Sequence, residues 1–190
     1  MAHKFNSENK EKLDNPKRRE NLPPYKVLEK FGLQKGTLIA DIGCGIGYFT
    51  FPAGDIVGEK GKVFAIDISN DMIEFVENKI REENISNIRT IISKESDLII
   101  EKENVDFAFL CTVLHEVEEP QVFLEDACRI LKNKGTLAVV EWNNEELGFG
   151  PDIKERMDMG LVKSLLFEVG FKEVEEIELG NYFYGLKAMK

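Results

Sequence analysis

The sequence predicts an α/β protein: a doubly wound, seven-stranded, mostly parallel sheet that ends in an antiparallel hairpin strand. Three observations carry this. From residue 37 onward short apolar runs alternate with amphipathic stretches, the pattern of parallel strands joined by crossover helices. A glycine-rich turn, Gly43-Cys44-Gly45-Ile46-Gly47, lies where the first run meets the first helix. The last two strand-like runs are separated only by Gly180-Asn181, a two-residue hairpin signal that reverses the chain.

Taken in order, residues 1–36 stand apart from the rest. They are polar and charged up to Asn21, then carry Leu22-Pro23-Pro24-Tyr25, where the prolines fix the chain locally. A short helix is expected around Tyr25–Phe31, ended by Gly32. The arm before it reads equally well as a loose terminus or as a lid over a ligand. Residues 37–190 read as one domain. Thr37–Ile42 is a buried strand, Tyr48–Val57 a helix, and Lys62–Asp67 the second strand. Ser69 or Asn70 caps a helix over Asp71–Glu83, in which Met72, Ile73, Phe75, Val76 and Ile80 recur at helical spacing. Ile88–Ile92 and Val105–Cys111 are strands three and four. Pro120 suits the first turn of a helix that runs to Leu131. Thr136–Trp142 is strand five, Met159–Val169 the last helix, and Lys172–Leu179 with Tyr182–Ala188 the hairpin.

Composition narrows the function classes. At 190 residues the chain can bury a core without disulfides or metals. A formal net charge of -10 repels nucleic-acid phosphates and anionic membranes alike, so neither is expected as a partner. The cysteines Cys44, Cys111 and Cys128 are far apart, odd in number, and not spaced with a histidine as zinc ligands. No metal is expected, and a reducing, cytoplasmic setting is the simplest reading. The start, Met1 to Glu8, has no apolar run, so no signal peptide is expected. Nothing in the sequence decides between a monomer and a homodimer.

The chemistry concentrates at Asp41-Ile42-Gly43-Cys44-Gly45-Ile46-Gly47. Glycines at a strand-to-helix turn allow a tight bend and close approach of a ligand. The dinucleotide fingerprint G-x-G-x-x-G/A places a third small residue at position 48, which is Tyr48 here. Asp41, beside the loop, repels a pyrophosphate and attracts a cation. Asp67 ends strand two, where a carboxylate can accept hydrogen bonds from two vicinal hydroxyls.

With these residues in view, the sequence resembles the class I S-adenosylmethionine-dependent methyltransferases, of the small-molecule type that includes the quinone-biosynthesis enzymes. Three signatures match in order: the Asp41–Gly47 loop, Asp67 after strand two, and Arg129-Ile130-Leu131-Lys132-Asn133-Lys134-Gly135, similar to the family's R-V-L-K-P-G-G turn before strand five. The resemblance covers roughly residues 27–145 and implies a Rossmann-like fold with S-adenosylmethionine as donor and S-adenosylhomocysteine as product. By resemblance, Asp41 and the amides around Gly43 and Gly45 hold the methionine part, and Cys44 and Gly47 of the same loop are cofactor-binding. Asp67 holds the ribose, Ile68 and Met72 flank the adenine, Glu95 beside Lys94 or a backbone contact reads its amino group, and Cys111 lines the methionine side by its backbone.

Methyl transfer is an in-line displacement in which the protein mainly aligns two reactants. A base is needed only when the acceptor must lose a proton. His115, just beyond strand four, is the candidate for that role, its alternatives being support of the loop or a contact to the cofactor. Glu141 and Trp142 end strand five on the same edge, and Tyr25 lies in the segment placed to close over it; all three are candidate acceptor contacts. Tyr182, Phe183 and Tyr184 read as hairpin core. No N/D-P-P-Y signature follows strand four, and no Pro-Cys nucleophile, so methylation of base amino groups or of cytosine C5 is not expected. The competing readings are a cofactor-binding regulatory protein without transfer and a nicotinamide-dependent oxidoreductase.

Overall fold

Two short helices lead into the sheet in the computed structural model, which describes residues 14–94, 97–145 and 148–190. Asn15 caps the first, α1 (Pro16–Asn21), by accepting from the Arg18 amide at 3.0 Å, with Pro16 in its first turn. The second, α2 (Pro24–Lys30), is followed by Gly32 at φ 86. The strands are β1 (Leu38–Ile42), β2 (Lys62–Asp67), β3 (Ile88–Ile92), β4 (Val105–Cys111), β5 (Leu131–Trp142), β6 (Lys172–Glu178) and β7 (Phe183–Met189). Between them run α3 (Thr50–Val57), α4 (Asn70–Glu82), α5 (Pro120–Ile130) and α6 (Met159–Glu168).

The sheet order is β3-β2-β1-β4-β5-β7-β6. Pairs β1–β2, β1–β4, β2–β3 and β4–β5 are parallel, and β7 runs antiparallel to both its neighbours. Seven strands with one reversed were expected. The short right-hand end reverses because residues 179–182 hold the turn, with Gly180 at φ 86.

Alternate residues of each central strand feed opposite faces. Ile39, Val63, Ala65, Phe107 and Phe109 join a core under α2, α3 and α4. Ala40, Ile42, Ile66, Ala108 and Leu110 join a second core under α5 and α6. Leu22, Val27, Leu28 and Phe31 are part of the first of these cores, so the chain is built into the fold from Leu22 onward.

Some local expectations differ from what the packing selects. Ser69 occupies the N-cap of α4 without a side-chain hydrogen bond; its amide instead donates to Asp67. Phe75 is exposed on α4 while Met72, Ile73 and Val76 are buried, because the apolar stripe is narrower than the spacing suggests. Strand β5 begins at Leu131, paired with Val105 before a register shift at Val105/Phe107. A tertiary pairing of this kind leaves no local sequence signal.

Candidate active site

The strand order reverses between β1 and β4, and ligands of such sheets bind outside the carboxyl ends at that point. A cavity of about 790 Å³ opens there, within the size range of small-molecule sites. Asp41, Ile42, Gly43, Cys44, Gly45 and Asp67 form its floor.

The glycine turn is stitched from below. The amides of Gly43 and Cys44 both donate to the Ile66 carbonyl, at 2.8 and 2.9 Å. The Gly45 amide donates to Asp67 Oδ2 at 2.8 Å. These amides were expected to hold a ligand; they are committed inside the protein. The reason is that β1 and β2 are adjacent and in register up to Ile42 and Ile66, so the turn leaving β1 falls directly on the end of β2. Glycine is required at Gly43, where φ is 72 and a Cβ would stand 2.3 Å from the Val113 side chain. Gly47, expected at the ligand, is absent from the cavity lining. It turns the chain into α3, where a Cβ would meet the Phe51 ring at 2.5 Å.

Two carboxylates frame the turn. Asp41, 3% exposed, accepts from Thr50 Oγ1 at 2.6 Å. Burial pushes its carboxyl up to about 7, opposed by the Thr50 hydrogen bond and assisted by the charge of Asp67. Asp67 also accepts from the Ser69 amide at 2.9 Å. Burial raises its pKa against the pull of the Ser69, Gly45 and Ile68 amides. Backbone amides thus fix both Asp67 oxygens, which still have lone pairs for a ligand.

On the β2 side Ile68 and Met72 line the cavity, Ile68 exposed and Met72 buried. Glu95 lies outside the described residues; its neighbours Ser93 and Lys94 line the cavity. On the β4 side Cys111 lines it with a buried thiol. Burial pushes that thiol up to about 12, with the Arg18 charge opposing. Thr112 follows at φ 55, a strained conformation held by its amide bond to the Val140 carbonyl at 2.8 Å.

His115 lines the cavity from the turn of 3₁₀ helix at Leu114–Glu116. Its Nδ1 lies 2.8 Å from Glu141 Oε2, and its amide donates to Glu141 Oε1 at 3.3 Å. Burial lowers the imidazole pKa, but the Glu141 hydrogen bond and charge, with the charges of Glu116 and Glu155, outweigh it and leave the value raised. Glu141 itself is fully buried and does not line the cavity. It stands behind His115 rather than at an acceptor, because the alternation of β5 points it inward under the loop. Its neighbour Trp142 does line the cavity, packed on Phe183 at 4.4 Å and Phe149 at 5.3 Å between ring centres. Tyr25 is not among the lining residues. Its hydroxyl donates to Asp55, on the flank of α3 that faces α2.

Two parts of the wall left no clear mark in the sequence. The first is Arg18 with Asn15, on α1. The Asn15-Pro16 helix start is a readable signal, but the destination of the Arg18 side chain is not. The second is Phe149, Gly150, Pro151 and Glu155, from the connection after β5. Long-range packing places it, with Arg156 bonding the backbone carbonyls of Asn143, Glu145, Phe149 and Pro151.

A sequence profile described as a methyltransferase domain matches residues 33–178. The chain belongs to the methyltransferase-domain family. A solved S-adenosylmethionine-dependent methyltransferase from Aquifex aeolicus is similar along nearly its whole length: 35% identity, TM-score 0.93, covering 98% of this chain and 99% of that one. Demethylmenaquinone methyltransferase of Lactococcus lactis is 30% identical over 122 residues, 64% of this chain and 48% of that enzyme. The chain spans about half the length of the curated relatives it matches. A Haemonchus contortus phosphoethanolamine N-methyltransferase, solved in complex with S-adenosyl-L-methionine, shares the fold at TM-score 0.74 and 14% identity.

The cavity fits the family's donor, S-adenosylmethionine. A buried carboxylate at Asp41 suits an ammonium, and Asp67 suits vicinal hydroxyls. The amides of Gly43, Cys44 and Gly45 are committed within the protein, so these three offer a phosphate nothing of the cradle that a dinucleotide requires. Among the described residues no cluster of His, Cys, Asp and Glu is arranged to hold a metal, and no helix is long and apolar enough to cross a membrane.

Proposed function

We propose that this chain transfers a methyl group from S-adenosylmethionine to a small molecule with a largely apolar, flat body and an acidic proton. The observation that carries the reading is the pair Asp41 and Asp67 around a turn whose amides are already bonded, a floor built for a cation and hydroxyls. When bound, S-adenosylmethionine supplies an electrophilic methyl on a sulfonium. Asp41 holds the ammonium, Asp67 orients the ribose hydroxyls, and Ile68 with Met72 sandwiches the adenine.

His115 serves the acceptor side. In the neutral ring Glu141 keeps the proton on Nδ1, so the Nε2 lone pair is free to accept a proton from the acceptor. As the imidazolium forms, Glu141 stabilises it. Trp142 and Phe149 present aromatic faces to the acceptor body, supported by the hairpin ring of Phe183. The demethylmenaquinone methyltransferases are named for a quinone, and this chain's aromatic wall suits a flat ring system. The three cysteines are free, which supports a cytoplasmic setting.

Incubation with S-adenosylmethionine and a panel of naphthols, hydroquinones and aliphatic amines tests this. S-adenosylhomocysteine release that depends on a phenolic acceptor is expected. Release with the amines alone would contradict the acceptor class, and release with none would contradict transfer to acceptors of these classes.

A further inference from the structure

His115 meets carboxylates from three elements. Glu141, behind it on β5, holds Nδ1 at 2.8 Å. Glu116, its neighbour in the 3₁₀ turn, places Oε1 3.9 Å from Nε2, beyond a hydrogen bond. Glu155, from the connection after β5, is close enough for its charge to act on the ring. Glu141 stays inside the protein, but Glu116 and Glu155 both line the cavity. The imidazole is itself a buried group that needs a partner there. Its side chain is 9% exposed, and Glu141 takes the ring's one hydrogen bond among the described residues. Nε2 therefore marks where the polar atom of an acceptor docks, and two carboxylates attend that place. The cations that line the cavity are placed differently. Arg18 lies against the Cys111 thiol, at 3.7 Å, and Lys94 follows β3, past Ile92, which pairs with Asp67. Lys17 and Arg156 pack on the Phe149 and Trp142 rings and are not among the lining residues. The rest of the wall near His115 includes Val117, Phe123, Trp142 and Phe149. Apolar surroundings screen charge poorly, so like charges repel there far more than in water.

We infer that Glu116 and Glu155 are specificity-determining residues that select the acceptor by charge: the molecule admitted carries no carboxylate or phosphate and enters with its acidic proton still attached. This rests on the proposed acceptor end of the cavity. An anionic substituent meets both carboxylates in an apolar surround. A phenol ionised beforehand meets Glu116 at the very atom that docks. A neutral hydroxyl instead donates to Nε2, and its O–H bond breaks only as an N–H bond forms on His115. The two carboxylates thus turn away an acceptor that the flat aromatic wall alone accepts.

Ligands of one skeleton separate charge from shape: 2-naphthol, 6-hydroxy-2-naphthoate and 6-aminomethyl-2-naphthol. Calorimetric titration of the chain saturated with S-adenosylhomocysteine measures each of them, on the wild type, Glu116→Gln, Glu155→Gln and the double variant. The wild type is expected to bind the naphthoate about ten- to a hundredfold more weakly than 2-naphthol, and the aminomethyl compound more tightly than the naphthoate. Each single variant should narrow the gap between carboxylate and ammonium, the double variant should close most of it, and added salt should narrow it in the wild type. Thermal melting of each variant confirms that it is folded. Equal wild-type affinity for the carboxylate and the ammonium, or a gap unchanged in the folded double variant, overturns the inference while leaving the acceptor end standing. Failure of 2-naphthol itself to bind overturns both.

Discussion

Asp41 sets the first test at the scale of single residues. A buried carboxyl titrating at about 7 is protonated in part of the ligand-free chain at neutral pH. Its contribution to folding is present below the ordinary carboxylate range and is lost as pH rises through about 7. An ammonium ligand needs the ionised form. Affinity for S-adenosylhomocysteine is therefore expected to rise with pH up to about 7, by at most about tenfold per unit, and then level. Asp41→Asn should flatten the curve; calorimetry between mildly acidic and mildly alkaline pH reads it. His115 makes a second prediction. As a base it must be neutral, and Glu141 holds its pKa above the usual histidine value, so the rate of transfer rises with pH through that raised value. Glu141→Gln should move the acid limb to lower pH and lower the plateau. His115→Gln should cost about a hundred- to ten-thousandfold in rate with donor binding retained. A rate profile unchanged by either variant would remove the pair from the reaction. The places of Asp41, Asp67 and His115 at the cavity were legible because each lies at or just beyond the end of an apolar strand run. The places of Glu141 and Arg18 were not. Which side of β5 a carboxylate faces, and where a helix outside the sheet lays its side chain, depend on packing that no neighbouring residue encodes.

At the scale of elements, the turn after β1 and the connection after β5 build the site by opposite means. The turn is fixed by local chemistry, with glycines at positive φ and amides returned to β2. The connection is held by side-chain contacts, Arg156 making the most of them. Arg156 makes five hydrogen bonds to the carbonyls of Asn143, Glu145, Phe149 and Pro151, and its guanidinium lies 5.8 Å from the Trp142 ring. Arg156→Ala should cost about 1–3 kcal/mol of stability and loosen the aromatic wall. Because Trp142 is the chain's single tryptophan, its emission reports this directly. A red shift and stronger acrylamide quenching are expected, with binding through Asp41 and Asp67 retained. An unaltered spectrum would show that the wall stands without Arg156. The same contrast explains what could be read ahead of the structure. Strand–helix alternation, the Pro120 helix start and the Gly180 reversal are periodic or conformational signals carried by adjacent residues. The wall is an irregular segment held by a contact from Arg156, and irregular backbone has no period.

At the scale of the molecule, a single topological fact organises the rest. Reversal of strand order between β1 and β4 opens a crevice at their carboxyl ends, and β1, β2, β4 and β5 each deliver a polar residue to it or behind it: Asp41, Asp67, Cys111 and Glu141. The two cores on opposite faces of the sheet hold those ends rigid, so the cavity floor is preorganised, and the helix carrying Arg18 closes one side of it. The measurement that tests this account most directly is a parallel calorimetric titration of the purified chain with S-adenosylmethionine, S-adenosylhomocysteine and NAD. The account predicts micromolar binding of the two adenosyl ligands and none of NAD, since the turn offers a phosphate no free amides at Gly43, Cys44 or Gly45. Binding of NAD in their place, or of none of the three, would contradict it.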